Sequence, residues 1–318
     1  MSKFLSKYQN ESIFLLIVGL LAAMFFSATF LINRSISLDG GHWFWSASLR
    51  YMYTIVFLSV GFILLKGFSF FKAVLKEYFQ NILFWSMAGT IGFGFFYSLI
   101  CYAADFSPAW VVATTWQMTI LASLFVLTFF GKKLSKKIWF FTFIVFVGVT
   151  LVNLSYFDLN ALDKLLLGFL PVLIAAFSYP IGNQLVWERK VKKEQEGVDI
   201  KVLNNTFAKV FLLIIGSSPF WFILFFIVAP SLPSQGQFIS VAMVSILSGI
   251  IATTLFLYAR NHANTTTKLM LVDATQCGSV FFALFGEVLF LNGSFPNTIG
   301  WIGLFVTIAG LLFLTRSK

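Results

Sequence analysis

The sequence predicts an all-α integral membrane protein with ten transmembrane helices, arranged as two inverted five-helix repeats. Three observations carry this. The 318 residues are 59% hydrophobic and 11% charged, with a mean hydropathy of +0.89. The apolar residues gather into ten runs close to the roughly 20 residues that a helix needs to cross hydrocarbon. Lys and Arg alternate strongly between the connecting segments. A water-soluble fold of this length could not hide so much apolar surface, whereas a lone helix satisfies its own backbone in lipid. The alternating ten-residue pattern of outer-membrane strands is absent.

In order, the runs are 12–32, 43–65, 81–104, 108–130, 138–154, 165–187, 207–229, 238–260, 269–291 and 296–315. The first follows a basic start, MSKFLSKYQNES, and is long enough to be read as a retained helix rather than a cleaved leader. With the N-terminus placed inside, nineteen of the 22 Lys and Arg fall on inside segments. Only Arg34 and Lys164 fall outside, and Arg50 lies within the second run. This asymmetry places both termini in the cytoplasm, in a cell (inner or plasma) membrane. The net charge of +10 is therefore a topology signal, not a nucleic-acid footprint. Residues 188–206 are expected to form a cytoplasmic linker between the sixth and seventh helices. The first repeat is expected over 1–155 and the second over 156–318.

The two halves resemble each other weakly. AAMFFSATFLINR (Ala22–Arg34) aligns with AAFSYPIGNQLVW (Ala175–Trp187). GTIGFGFFYSLICYAADF aligns with SGIIATTLFLYARNHA, setting Tyr102 against Tyr258, and TTWQ (Thr114–Gln117) falls near VDATQ (Val272–Gln276). Five spans is an odd number, so the second copy must enter from the opposite face. Inverted repeats are a recurrent plan of secondary transporters, with substrate bound near the midplane.

Further residues extend the pattern. Arg50 sits in SASLRYMYTIVFL, GEVL occupies 286–289 and GKKL occupies 131–134. With ten helices in two copies, the chain resembles the drug/metabolite transporter superfamily, and SYPIGNQ in the sixth helix resembles its multidrug resistance efflux branch. The resemblance implies that Arg50 is the second-helix arginine of that superfamily and that Gly286–Glu287 is its ninth-helix Gly-Glu signature. Lys132 stands where the first copy would carry a second Glu, and the mid-helix prolines of the fourth and ninth helices are absent. The small multidrug exporters of the superfamily exchange protons through a first-helix glutamate. Here LLIVGLLAAMFFSATFLIN holds no acid, so any proton coupling falls to Asp273 or Glu287.

The scarce polar residues inside the runs are the candidate site. In SYPIGNQ, Pro180 frees a carbonyl one turn earlier, Gly182 lets another backbone approach, and Tyr179 and Asn183 share one helix face. Arg50 and Glu287 lie about 10 Å and 7 Å from the outer ends of their helices, at 1.5 Å per residue. A charge at such depth costs a few kcal/mol and seeks a partner, so matching depth predicts an Arg50–Glu287 pair acting as a lock or a gate. Asp273, near the inner end of the ninth helix, is expected as a helix-start acid or as a proton or cation site. Tyr97, Trp116, Gln117, Tyr179, Asn183, Gln184, Tyr258 and Gln276 are expected to line a substrate cavity. Their aromatic character suits a lipophilic or cationic small molecule.

Several classes are disfavoured. No GxxxxGK[ST] loop is present for ATP hydrolysis. His42 and His262 are expected on opposite sides, which argues against a metal or phosphotransfer enzyme. Cys101 and Cys277 lie in apolar runs without metal or disulfide spacing. No cofactor is expected. The leading expectation is an exporter of small organic molecules by alternating access, monomeric or homodimeric, with protons as a candidate coupling ion. An uptake carrier of the same fold and a non-transporting or lipid-handling membrane protein are the alternatives.

Overall fold

The computed structural model describes residues 11–131, 135–156 and 162–316. Lys132–Leu134 of the GKKL segment and the basic N-terminal residues Lys3 and Lys7 lie outside them. Among the described residues the chain is helical throughout, with no strand. Nine helices among the described residues are long and apolar enough to cross a membrane: Ser12–Leu38, Trp43–Lys66, Ile82–Ala103, Ala109–Phe129, Lys136–Tyr156, Leu166–Gln195, Thr206–Val228, Gln235–His262 and Lys268–Phe290. The chain is thus a multi-pass membrane protein. A further apolar helix, Thr298–Arg316, occupies the place of the tenth expected run. These elements are called the first to tenth spans below.

Three boundaries differ from expectation. The first span runs to Leu38 rather than stopping near 32, which carries Asn33 and Arg34 into the helix. The segment after the second span is not a loop but a helix, Phe68–Gln80, with Val74 and Tyr78 buried and Phe68 and Phe79 exposed. Its FSFFKAVLKEYFQ pattern places Lys72 and Lys76 among aromatics, the character of a helix lying in the membrane interface. The sixth helix continues to Gln195, through half of the expected linker. KVKKEQ is built from strong helix formers, and Lys193 Nζ meets Glu77 Oε2 of the interfacial helix at 2.5 Å. That buried pair anchors the extension where a free polar loop was expected.

Packing follows a regular scheme. The first span packs on the eighth and ninth, and the sixth packs on the third and fourth. The second packs on the eighth, the seventh on the third, and the fifth on the tenth. Small residues permit the closest approaches, as is usual where lipid-soluble helices meet. A Cβ on Gly182 would fall 2.3 Å from the Gly92 Cα, so the sixth and third spans cross backbone to backbone there. At the fifth–tenth contact, a Cβ on Gly148 would lie 2.4 Å from Thr307 Oγ1. The first span meets the eighth through a hydrogen bond, Thr29 Oγ1 to Ser248 Oγ, at 2.6 Å.

Among the described residues five spans depart from regular α-helix, the seventh by a break at Ser217 between Thr206–Gly216 and Ser218–Val228. The third winds as π-helix over Thr90–Phe95 and the eighth over Ser245–Ala252. The fourth breaks between Trp116 and Met118, and the ninth passes through a 3-10 turn at Thr275–Cys277. π-segments inside α-helices are frequent at functional sites.

Candidate functional site

The site centres on Arg50. From the second span its guanidinium reaches three neighbouring helices. Nη1 donates to Thr29 Oγ1 at 3.3 Å and Nη2 donates to Ser248 Oγ at 2.9 Å. Its Cζ lies 4.1 Å from the centroid of the Tyr97 ring, a cation–π contact. The hydroxyls form a one-way chain: Thr29 donates to Ser248, and Ser248 donates to the Val244 carbonyl at 3.2 Å. Both oxygens therefore present lone pairs to the cation. Asn33 Nδ2 donates to the Tyr97 hydroxyl at 3.1 Å, while the buried Asn33 Oδ1 accepts from nothing. The π-segment of the eighth span supplies a second serine, Ser245, which hydrogen bonds the Arg50 carbonyl at 3.2 Å.

The expected Arg50–Glu287 pair does not form. Glu287 instead faces Arg34, with Oε1 3.9 Å from Nε, and its Oε2 accepts from the Ala109 amide at 2.8 Å. The cause lies in two features that depth alone does not reveal. Ala109 opens the fourth span, where unpaired amides and the positive end of the helix dipole favour a carboxylate. The longer first span carries Arg34 to the same level, where its Nη1 also donates to the Ala104 carbonyl at 2.8 Å. The chain beyond the ninth span closes over this acid, for the Gly293 amide donates to the Glu287 carbonyl at 3.0 Å. A cavity of about 300 Å³ adjoins it, lined by Glu287, Trp110, Tyr156, Ser155 and Asn297 among others. Nearby, in the connection between the third and fourth spans, desolvation pushes the Asp105 carboxyl up from its ordinary range. The Ser37 hydrogen bond and the charges of His42 and Arg34 pull it the other way.

Asp273 lies at 3.4 Å from Arg260 Nε, joining the end of the eighth span to the start of the ninth. Neither intramembrane acid therefore serves Arg50, and no described Asp or Glu lies within ion-pairing distance of it.

Of the eight expected cavity residues, three come together. Trp116 and Tyr179 are 5.7 Å apart by ring centroids, and Phe96 bridges them at 4.8 Å and 5.0 Å. Phe96 also contacts Tyr97 at 5.7 Å, so one aromatic surface runs from Trp116 to the ring under Arg50. Gln276, in the 3-10 turn of the ninth span, has a buried Nε2 that lacks a hydrogen-bond partner. The other four are engaged elsewhere. Gln117 Nε2 donates to the Ala113 carbonyl and Asn183 Nδ2 to the Tyr179 carbonyl, each within its own helix. Asn183 is exposed. Gln184 donates to Glu188 at 2.9 Å, and Tyr258 packs on His262 at 4.2 Å. No cluster of three His, Cys, Asp or Glu that could hold a metal occurs among the described residues.

Thr29, Asn33, Arg34, Ser245 and Ser248 were not singled out from the sequence. A signal was present: Thr29 and Asn33 are four apart, and Ser245 and Ser248 three apart, so each pair shares one helix face.

Comparison with known proteins agrees with this architecture. A solved structure described as "Crystal structure of protein" superposes with a TM-score of 0.60 at 14% identity, covering 95% of this chain and 96% of its own, and so shares the fold. The uncharacterized protein YjlA of Bacillus subtilis is 35% identical over 316 residues, 94% of each chain. An uncharacterized 42.1 kDa protein of Shouchella clausii is 33% identical over 276 residues, covering 83% of this chain and 69% of that protein. The EmrE family model, described as "Putative multidrug resistance efflux transporter", matches residues 13–318. The chain therefore belongs to the EmrE family that this model describes.

Proposed function

We propose that this protein is a secondary transporter of the cell membrane that exports small organic molecules by alternating access. In this reading residues 1–155 and 156–318 are inverted repeats, both termini are cytoplasmic, and the substrate sits between the first, third, fourth, sixth, eighth and ninth spans.

The observation that carries the reading is a correspondence between two helix crossings. The alignment of Ala22 with Ala175 sets Thr29 against Gly182, and that of Tyr102 with Tyr258 sets Gly92 against Ser248. Thr29 and Ser248 meet where the first span crosses the eighth, and Gly182 and Gly92 meet where the sixth crosses the third. The same pair of aligned positions thus makes both crossings, each joining a span of one half to a span of the other. The π-segments of the third and eighth spans and the breaks of the fourth and ninth fall in matching places. A two-fold axis in the membrane plane relates such elements, and substrate sites of inverted-repeat carriers lie on it.

The ends of the bundle supply candidate gates. On the outer side, Glu287 ties Arg34 to the start of the fourth span. On the inner side, Arg260 meets Asp273, and Lys193 meets Glu77. Alternating access requires one set to part while the other holds. Reconstitution into sealed proteoliposomes tests the function. A carrier moves solutes from a chemically diverse panel down an imposed gradient and shows counterflow, whereas a scaffold or lipid-handling protein moves none.

A further inference from the structure

We infer that the Arg50 site recognises a small organic monoanion, an aromatic carboxylate in particular, so that the exported substrate is acidic rather than cationic. The inference rests on the carrier reading above and names its substrate class.

The charge balance of the membrane region leads to it. Two of the three ionic clusters there are balanced: Arg34 with Glu287, and Arg260 with Asp273. The third, Arg50, meets only the neutral groups of Thr29, Ser248 and Tyr97. A guanidinium is never neutralised by losing its proton, and an uncompensated charge at this depth is costly. A ligand that brings one negative charge lowers that cost, and the planar fork of arginine fits a carboxylate in two-point contact. A dianion such as a phosphate monoester would leave one charge unbalanced. A cation would add to the repulsion, and both acids that could receive one are already paired.

The surroundings define the rest of the ligand. The face formed by Tyr97, Phe96, Trp116 and Tyr179 begins under the guanidinium and leads away from it. The Tyr97 ring is fully buried beneath Arg50, while the half-buried Phe96, Trp116 and Tyr179 offer stacking to a flat apolar body attached to the acid group. Asn33 Oδ1, buried and without a donor, adjoins the Tyr97 hydroxyl and can receive a hydroxyl or amino substituent. The hydroxyl chain of Thr29 and Ser248 holds the guanidinium in place by accepting from two of its N–H groups. The remaining donors are left to face the ligand.

The test uses purified full-length protein and three probes of one shape: benzoate, benzamide and benzylammonium. Benzoate, or a ring-substituted benzoate from the same panel, is expected to bind by calorimetry and to raise the thermal transition, and the other two are not. Arg50→Gln is expected to weaken the carboxylate at least about tenfold. Arg50→Lys keeps the charge and is expected to retain the preference for acid over amide at reduced affinity, which covers the case in which the glutamine variant does not fold. Ser248→Ala, which loosens the guanidinium without removing charge, is expected to weaken binding less than Arg50→Gln does. The inference is overturned if benzylammonium binds as well as the acids, if no carboxylate in the panel binds, or if carboxylate affinity is unchanged in both Arg50 variants. Flux in proteoliposomes separates the two levels. Movement of cations without carboxylates sinks the anion site and leaves the carrier. Arg50-dependent carboxylate binding with no flux of any solute sinks the carrier and leaves the site.

Discussion

Arg34 and Glu287 face each other at 3.9 Å between the C-terminal end of the first span and the C-terminal end of the ninth, with side-chain exposures of 15% and 5%. The Ala109 amide completes the contact, so three segments converge on one carboxylate. Neutralising either side chain leaves a buried polar group short of a partner, at a cost of about 1–3 kcal/mol. Arg34→Gln and Glu287→Gln are expected to destabilise individually and to couple by about 1 kcal/mol or more in a double-mutant cycle. Arg50→Gln combined with Glu287→Gln is expected to be additive. Thermal denaturation of the purified variants reads both cycles, and coupling of Glu287 to Arg50 instead of Arg34 would reverse the assignment.

The crossing at Gly182 leaves no room for a side chain, because the Gly92 backbone occupies it. Gly182→Val is expected to force the sixth and third spans apart and to cost about 1–3 kcal/mol or more. Gly61 in the second span has open space where a Cβ would stand. Gly61→Ala is expected to be neutral or mildly stabilising, through helix propensity alone. Comparable losses in both variants would mean that the close approach carries no weight.

Orientation is open to chemical labelling, since the two native thiols are buried and give a low background. Leu232, 89% exposed between the seventh and eighth spans, and Val198, 46% exposed beyond the sixth, lie on opposite faces in the proposed topology. With Leu232→Cys an impermeant maleimide is expected to react from outside intact cells. With Val198→Cys it is expected to react only after the membrane is opened. The opposite pattern would invert the topology.

Asp273, paired with Arg260 at 3.4 Å, is the acid proposed to couple transport to protons. Asp273→Asn is expected to remove the pH dependence of flux in proteoliposomes while leaving carboxylate binding at Arg50 within about threefold, since Asp273 meets Arg260 whereas Arg50 meets Thr29, Ser248 and Tyr97, and groups without shared partners behave independently. A pH profile unchanged in this variant would transfer the role to another residue or dispense with proton coupling.

The class and the order of the spans were legible in the sequence because twenty-residue apolar runs and loop charges are themselves the physics of insertion. Gly182 was legible too: a glycine beside Pro180 in a lipid-soluble helix has little use other than close contact, and Gly92 provides it. The partner of Arg50 was not. Counting residues from a helix end gives depth but not azimuth, and the true end of the first span lies at Leu38, past polar Asn33 and Arg34 where the apolar run stops. The interfacial helix Phe68–Gln80 was hidden for the opposite reason, its mixture of Phe and Lys being too polar for a span and too short for one. Tyr97, Trp116 and Tyr179 were chosen for chemistry alone, and their convergence through Phe96 depends on tertiary packing that no single run encodes.

The two helix crossings differ in kind. One is pinned by a hydroxyl pair that also holds a guanidinium, and the other is bare glycine on glycine. A rocking motion about these fulcra meets polar resistance at the first and only van der Waals contact at the second. In the proposed transport cycle the sixth and third helices thus act as the smooth bearing of the molecule. In the proposed cycle the first and eighth act as its ratchet, and whatever docks on Arg50 sets the tension.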